Sequence, residues 1–159
     1  LLNLVRRDEA VQELIDLGVE NVLSTSDADW QQKAREMMGK AGATSAIDSV
    51  GGDVSADLVE LLGLDGELIV FGTATGAPMR LSSGSLIMKH ITVKGFWGSR
   101  VSSEMDPDER KRLITELVTL TATGKLALED GGVFSINQIS AALKAALTPG
   151  RTGKVMISG

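Results

Sequence analysis

The chain has 159 residues, of which 43% are hydrophobic and 23% charged, and its net charge is −5. This length suits one domain with a buried core, the few scattered cations disfavour a nucleic-acid partner, and no apolar run reaches the roughly 18 residues of a membrane span. One histidine and no cysteine exclude disulfides and leave too few soft ligands for zinc, so we expect no metal.

Apolar runs alternate with amphipathic segments over the first hundred residues. Aspartates at 8, 27 or 29, and 53 are typical helix caps, and a short helix is expected over 82–89. Helices of this kind between strands predict parallel pairing with right-handed crossovers. The predicted strands cover residues 1–5, 21–24, 46–50, 67–71 and 91–95.

The remainder of the chain has a clear helix start at Asp106, followed by Pro107 and two acidic residues. That helix should end at Gly124, and Pro149 with Gly150 should end the last one. The other predicted elements are a strand over 133–135, a helix over 137–147 and a strand over 154–157.

Two of the predicted strands, 46–50 and 67–71, run into glycine-rich turns. Because ligands of open α/β sheets bind beyond the carboxyl ends of the strands, we expect Ser49, Val50, Gly72 and Thr73 to line one crevice. A nucleotide is the default ligand. The alternative is that these glycines only make tight turns.

A pair of arginines, Arg6 and Arg7, follows the first predicted strand. Domains that bind NAD or S-adenosylmethionine usually have an acidic residue here, whereas the 2′-phosphate of NADP needs cations. The pair therefore favours NADP over both other cofactors, and it disfavours a methyltransferase. A solvated charged turn is the alternative.

No G-x-G-x-x-G motif occurs in the chain, which begins at Leu1 inside a predicted strand. In the strand order 3-2-1-4-5-6, the missing first strand would lie between strands 1–5 and 46–50. We therefore predict an α/β fold with a Rossmann-like doubly wound parallel sheet, truncated before its first strand and glycine-rich loop. The unpaired strand edges predict self-association.

Candidates for acid–base chemistry are few, because the chain has no tyrosine. We interpret His90 as a surface or packing residue, and Asp48 as a buried structural group rather than a cofactor ligand. Phe96 and Trp97 could wall a pocket beside a nicotinamide, or form an apolar plug at a domain or subunit contact.

The ordered series Arg6-Arg7, AIDSVGG, GELIVFGTATG, KHITVKGFW and GRTGKVMI resembles the later part of a medium-chain dehydrogenase/reductase. It is most similar to the zinc-independent quinone-reductase and 2-enoyl-thioester-reductase branch. The resemblance spans nearly the whole chain, although no single motif is as specific as a set of metal ligands.

This resemblance implies a Rossmann-type NADP-binding domain over residues 1–136 that lacks its first β-α unit. Residues 137–159 would pack on a catalytic domain outside the chain. The cofactor would be NADP(H), with Arg6 and Arg7 at the 2′-phosphate and Ser49, Val50, Gly72 and Thr73 along the ribose of the nicotinamide. Phe96 and Trp97 would flank the nicotinamide, and Lys154 would reach the cofactor.

The resemblance also implies that the parent enzyme reduces an activated carbon–carbon double bond in a small-molecule substrate, a quinone or a 2-enoyl thioester. No catalytic residue is assigned to this chain, which alone is expected to be inactive. A homodimer would form through the edge strand from Ile91 to Gly95, and we expect a cytoplasmic protein without nucleic-acid or membrane partners. The alternative is a non-catalytic nucleotide-binding or oligomerisation fragment.

Overall fold

The computed structural model describes residues 1–148, 150–151 and 153–159, which form two compact units, Leu1–Ser99 and Arg100–Gly159. The predicted stop at Pro149 lies outside the described residues. Strands and helices of the first unit are β1 Asn3–Val5, α1 Glu9–Asp16, β2 Val22–Ser24, α2 Trp30–Met38, β3 Ala43–Asp48, α3 Asp53–Leu61, β4 Leu62–Val70, α4 Ser83–Met88 and β5 Thr92–Gly95.

All strand pairs of the first unit are parallel, but they belong to two separate sheets. One sheet pairs β1 with β2, and the other has the order β3-β4-β5. Within the described residues no ladder joins β1 to β3, which is where the sequence predicted a missing strand. The predicted α/β fold with a parallel sheet is confirmed.

An apolar cluster holds the two sheets of the first unit together. Trp30 and Ala34 of α2 pack against Leu61 of α3, and Leu4 of β1 and Leu23 of β2 pack on the same cluster. A second cluster, centred on Val59, Leu62 and Leu68, lies beneath the three-stranded sheet. Helix packing therefore connects β1 and β2 to the rest of the unit without a backbone ladder.

The second unit contains α5 Gly98–Glu104, whose first residues precede the unit boundary, and α6 Pro107–Ala122. The α6 start is confirmed, because the Asp106 carboxylate accepts the backbone N–H groups of Asp108 and Glu109 at 2.9 and 3.2 Å. The unit continues with β6 Asp130–Ser135, a 3₁₀ turn Ile136–Gln138, α7 Ile139–Ala146 and β7 Lys154–Ser158. Strands β6 and β7 pair in parallel.

The structure corrects the prediction at several places. Strand β3 ends at Asp48 instead of residue 50, because the Asp48 side chain bends the following backbone. Gly52, and not Asp53, occupies the N-cap of α3. Helix α5 was not predicted, since a glycine start and three serines give little helix signal.

No helix in the described part of the chain is long and apolar enough to cross a membrane.

Candidate functional site

The carboxyl ends of β3, β4 and β5 lie side by side at one edge of the three-stranded sheet. Asp48 is paired with Val70, and Val70 with Gly95, at the last rungs of the two ladders. Two more backbone hydrogen bonds extend this alignment, from Phe71 N to the Asp48 carbonyl at 2.9 Å and from Phe96 N to the Val70 carbonyl at 2.8 Å. Parallel register therefore delivers the three following loops to one place.

Asp48 holds the loop between β3 and α3 in a fixed shape. Its side chain is 1% exposed, and Oδ1 accepts the backbone N–H groups of Val50 at 2.7 Å and Gly51 at 3.1 Å. Oδ2 accepts the hydroxyl of Ser55, on α3, at 2.5 Å. All of these donors are local, so Asp48 is the buried structural group that the sequence predicted.

The two glycines of this loop have backbone conformations that side chains disfavour. Gly51 has φ +76° and Gly52 has φ +68°, both in the left-handed region. A Cβ at Gly52 would also lie 3.2 Å from Oγ1 of Thr75. The Gly51-Gly52 turn is therefore required both for the chain reversal and for close packing of the next loop.

The loop that follows β4, residues 72–76, is joined directly to the β3–α3 loop. Thr75 donates both its backbone N–H and its hydroxyl to the Val50 carbonyl, at 3.0 and 3.1 Å, and Ala74 N donates to the Ser49 carbonyl at 3.3 Å. A Cβ at Gly72 would lie 2.6 Å from that same Ser49 oxygen. Only glycine allows this approach, and it brings together Ser49, Val50, Gly72 and Thr73 as predicted.

Two backbone donors in these joined loops have no partner in the part of the chain that the structure describes. Among the described residues, no acceptor receives the N–H group of Gly72 or of Thr73. Gly72 is half-buried, while Thr73 and the hydroxyl-bearing Ser49 are exposed. The joined loops therefore offer adjacent hydrogen-bond donors to a polar ligand.

Phe96 and Trp97 follow β5 at the same edge. Their side chains are 48% and 68% exposed. Because the backbone N–H of Phe96 donates to the last residue of β4, the start of this aromatic pair is anchored at the same edge as the joined loops. Both rings are accessible to a ligand or to a partner surface.

Arg6 and Arg7 lie just beyond the carboxyl end of β1, where Val5 is paired with Ser24. Both arginines are exposed, and Nη2 of Arg7 lies 3.8 Å from the Glu13 carboxylate of α1. Arg6 has no ion-pair partner among the described residues. Its carbonyl accepts the Ser26 hydroxyl at 2.5 Å, which ties the turn to the end of β2.

Two other predicted residues lie elsewhere. Lys154 begins β7 in the second unit, opposite Asp130, so it is not among the residues that the first unit brings together. His90 is exposed, and its Nδ1 lies 2.7 Å from Oδ1 of Asp65, consistent with the predicted surface role. No cluster of three potential metal ligands occurs among the residues that the structure describes.

Sequence reasoning missed Thr75, which joins the two loops. The residue stands in a predicted glycine loop, but its partner Val50 is 25 positions away. Nothing in the local pattern distinguishes Thr75 from Thr73, whose hydroxyl makes no hydrogen bond among the described residues.

Parallel strands connected by helices, with loops that meet at the carboxyl ends of the strands, define a Rossmann-like α/β unit. The family model for zinc-binding dehydrogenases matches residues 3–117, and the chain belongs to this family. Its predicted membership of the medium-chain dehydrogenase/reductase superfamily is thereby confirmed.

Similar proteins include the human mitochondrial enoyl-[acyl-carrier-protein] reductase, which is 26% identical over 99% of this chain. The rat quinone oxidoreductase-like protein 2 is 26% identical over 95% of the chain. In both comparisons the match covers 43% of the relative, so the chain spans less than half of the length of these proteins.

A solved structure extends the similarity to the fold. A Bacillus thuringiensis protein, provisionally described as an NADPH:quinone reductase, superposes with a TM-score of 0.88 and 22% identity. The match covers all of this chain and 48% of that protein. At this identity the superposition supports the shared fold alone.

Proposed function

We propose that this chain is the NADPH-binding part of an oxidoreductase that reduces an activated carbon–carbon double bond. The observation that carries the proposal is the pair of joined loops at the carboxyl ends of β3 and β4, with unused backbone donors, in a unit that also presents Arg6 and Arg7 beyond β1. A quinone or a 2-enoyl thioester is the proposed substrate class, because relatives with those names match nearly the whole chain.

The residues present fit the dinucleotide chemically. Two exposed guanidinium groups suit a 2′-phosphate, since arginine binds phosphate through charge-assisted hydrogen bonds. Among the described residues, only Arg7 has an acidic neighbour. The free N–H groups of Gly72 and Thr73, with the exposed hydroxyl of Ser49, suit ribose hydroxyls or a carboxamide. When bound, the cofactor supplies a hydride for the reduction.

The protein's own residues then have separate roles. Arg6 and Arg7 hold the phosphate, and Ser49, Val50, Gly72 and Thr73 orient the ribose next to the nicotinamide. Phe96 and Trp97 exclude water from the nicotinamide end of the site, and Lys154 is a further proposed cofactor contact. Groups that polarise the substrate carbonyl and deliver a proton are proposed to lie outside this chain.

Three finer predictions accompany this proposal. The division of function near residue 136 and pairing of two copies through β5 both follow the predicted family pattern. A cytoplasmic location stays a prediction, because no observation on this chain tests it. The human relative is named as mitochondrial.

The decisive experiment is calorimetric titration of the 159-residue chain with NADPH and with NADH. We expect tighter binding of NADPH, and we expect Arg6→Ala with Arg7→Ala to weaken NADPH by at least about tenfold while changing NADH little. Arg100→Ala with Arg112→Ala is the matched control, because it removes two exposed arginines from the second unit. Equal loss of both cofactors would contradict the assignment of the arginines, and no binding of either would contradict cofactor binding by this chain.

A further inference from the structure

A cavity lies at the opposite end of β3 and β4 from the joined loops. It is a cavity of about 490 Å³ among the ends of α2 and α3 and the first residues of β4. Strand β3 has six residues, so its two ends, and the two sites beside them, are roughly 17 Å apart. The volume is within the usual range for small-molecule sites.

Apolar side chains and bare backbone form the inner surface of this cavity. Met38, Leu61 and Leu62 line it together with Gly42 and Gly63. Leu61 and Leu62 are almost fully buried, and a Cβ at Gly42 would lie 2.8 Å from the Gly63 nitrogen. The backbones of these two glycines are in direct contact, so the inner surface is formed by apolar groups and backbone.

Charged side chains surround this apolar surface. Arg35, Lys40, Lys89 and Glu60 line the cavity. Nζ of Lys89 donates to the terminal carbonyls of α3, Val59 O at 3.3 Å and Glu60 O at 3.0 Å, and lies 3.6 Å from the Glu60 carboxylate. Within the described residues, Arg35 and Lys40 form no ion pair.

Glu60 is ionised at neutral pH. The hydroxyl of Ser85 donates to its carboxylate, and this hydrogen bond, with the nearby charges of Lys89 and Arg35, lowers the pKa of Glu60 below its ordinary value. Its negative charge therefore counts against the three cations. Asp57, which also lies near Arg35, does not line the cavity.

The charges that line the cavity, taken with the two helix ends, favour an anionic ligand. The side chains contribute three positive charges and one negative charge, and the carboxyl ends of α2 and α3 contribute about −0.5 each. The sum is close to +1. A single negative charge would balance it, whereas a dianion would be in excess and a cation would be repelled.

We propose that this cavity binds a small organic anion with one negative charge and an aliphatic body, a medium-chain carboxylate in chemical class. The carboxylate pairs with Arg35 and Lys40, and the aliphatic body lies along Met38 and the backbone of Gly42 and Gly63. This site does not depend on cofactor binding at the other edge of the sheet.

Trp30 provides a direct readout of binding. It packs in the same cluster as Leu61 and Met38, both of which line the cavity. The chain has two tryptophans, so Trp97→Phe leaves Trp30 as the only one. We expect hexanoate to change Trp30 fluorescence saturably in the millimolar range, and hexan-1-ol and hexylammonium to bind at least about tenfold more weakly.

Charge-removing variants locate the site. In the Trp97→Phe background, Arg35→Gln with Lys40→Gln should weaken hexanoate by about tenfold or more, while Lys111→Gln with Lys125→Gln, two exposed cations of the second unit, should not. The amide resonances of Gly42 and Gly63 should shift on binding, and that of Gly72 should not. Equal binding of hexan-1-ol, unchanged binding in the Arg35 and Lys40 variant, or no saturable change up to about 10 mM hexanoate would each overturn the proposal.

Discussion

Two loops at carboxyl ends of strands in the first unit are built on opposite principles. The β3–α3 loop is held from inside by the buried Asp48 carboxylate, and Thr75 fastens the next loop to it. The β1–α1 turn instead presents two exposed arginines, whose nearest acidic group is 3.8 Å away. The first loop has its shape before any ligand arrives, and the second offers charge on exposed side chains.

The β3–α3 loop is therefore suited to positioning a ligand, and the β1–α1 turn to attracting its negative charge. Removing a buried carboxylate that accepts hydrogen bonds is costly, because its donors are then left without an acceptor and water cannot reach them to replace it. An exposed ion pair contributes little, because water screens it. Substitutions in the β3–α3 loop should therefore reduce stability, and substitutions in the β1–α1 turn should change binding at nearly constant stability.

The largest expected effect is that of Asp48→Ala. It leaves two backbone N–H groups and the fully buried Ser55 hydroxyl without an acceptor, and should reduce the free energy of unfolding by about 3–5 kcal/mol. Asp48→Asn keeps one acceptor oxygen and should cost less. Urea unfolding measures both.

Asp53→Ala is the control for Asp48→Ala, because the exposed Asp53 carboxylate lies in the first turn of α3. Its removal should lower the free energy of unfolding by less than about 1 kcal/mol. If Asp48→Ala proved no more costly than this control, the buried carboxylate would not be what shapes the loop.

Gly72→Ala should have the next largest effect. Its Cβ would lie 2.6 Å from the Ser49 carbonyl oxygen, so the joined loops must move apart, at a cost of roughly 1–3 kcal/mol. Gly95→Ala is the matched control, since nothing lies within 4 Å of a Cβ there and its φ is ordinary. Thermal melts of the two variants should differ clearly, and equal melting temperatures would mean that the close approach is not required.

Thr75→Val tests the connection between the two loops, and we expect it to lower the free energy of unfolding by about 1 kcal/mol. The variant loses the hydroxyl bond to the Val50 carbonyl and the acceptor for Ala77 N at 3.2 Å, while the backbone bond of residue 75 remains. Thr73→Val removes a hydroxyl with no hydrogen bond among the described residues and is the control. Equal unfolding free energies for the two variants would count against the fastening role.

The same contrast explains what could be predicted from the sequence. Local signals were sufficient at Asp106, where cap, proline and acidic first turn stand together, and in the alternation that predicts parallel strands. Nonlocal contacts were not accessible. Strand β4 starts at Leu62, five residues before the predicted start, because it pairs with Ala43 and then shifts register before Glu67.

The candidate site divides in the same way. Ser49, Val50, Gly72 and Thr73 could be placed together because parallel register aligns strand ends. Thr75 could not be recognised, since its role depends on one carbonyl in another loop.

The smallest expected effect belongs to Glu13→Gln in the β1–α1 turn. Because Glu13 is the only acidic group within 4 Å of either arginine among the described residues, neutralising it frees Arg7 for a phosphate. An exposed pair of this kind is worth less than about 1 kcal/mol, so adenosine 2′,5′-bisphosphate should bind roughly two- to fivefold more tightly while stability hardly changes. Asp16→Asn is the control, because Asp16 lies on the same helix and contacts Gln12 instead of an arginine. Tighter binding in the Glu13 variant alone would assign the effect to Arg7. Equal gains in affinity in both variants would instead mean that only the net charge matters, and that the β1–α1 turn attracts phosphate without a specific site.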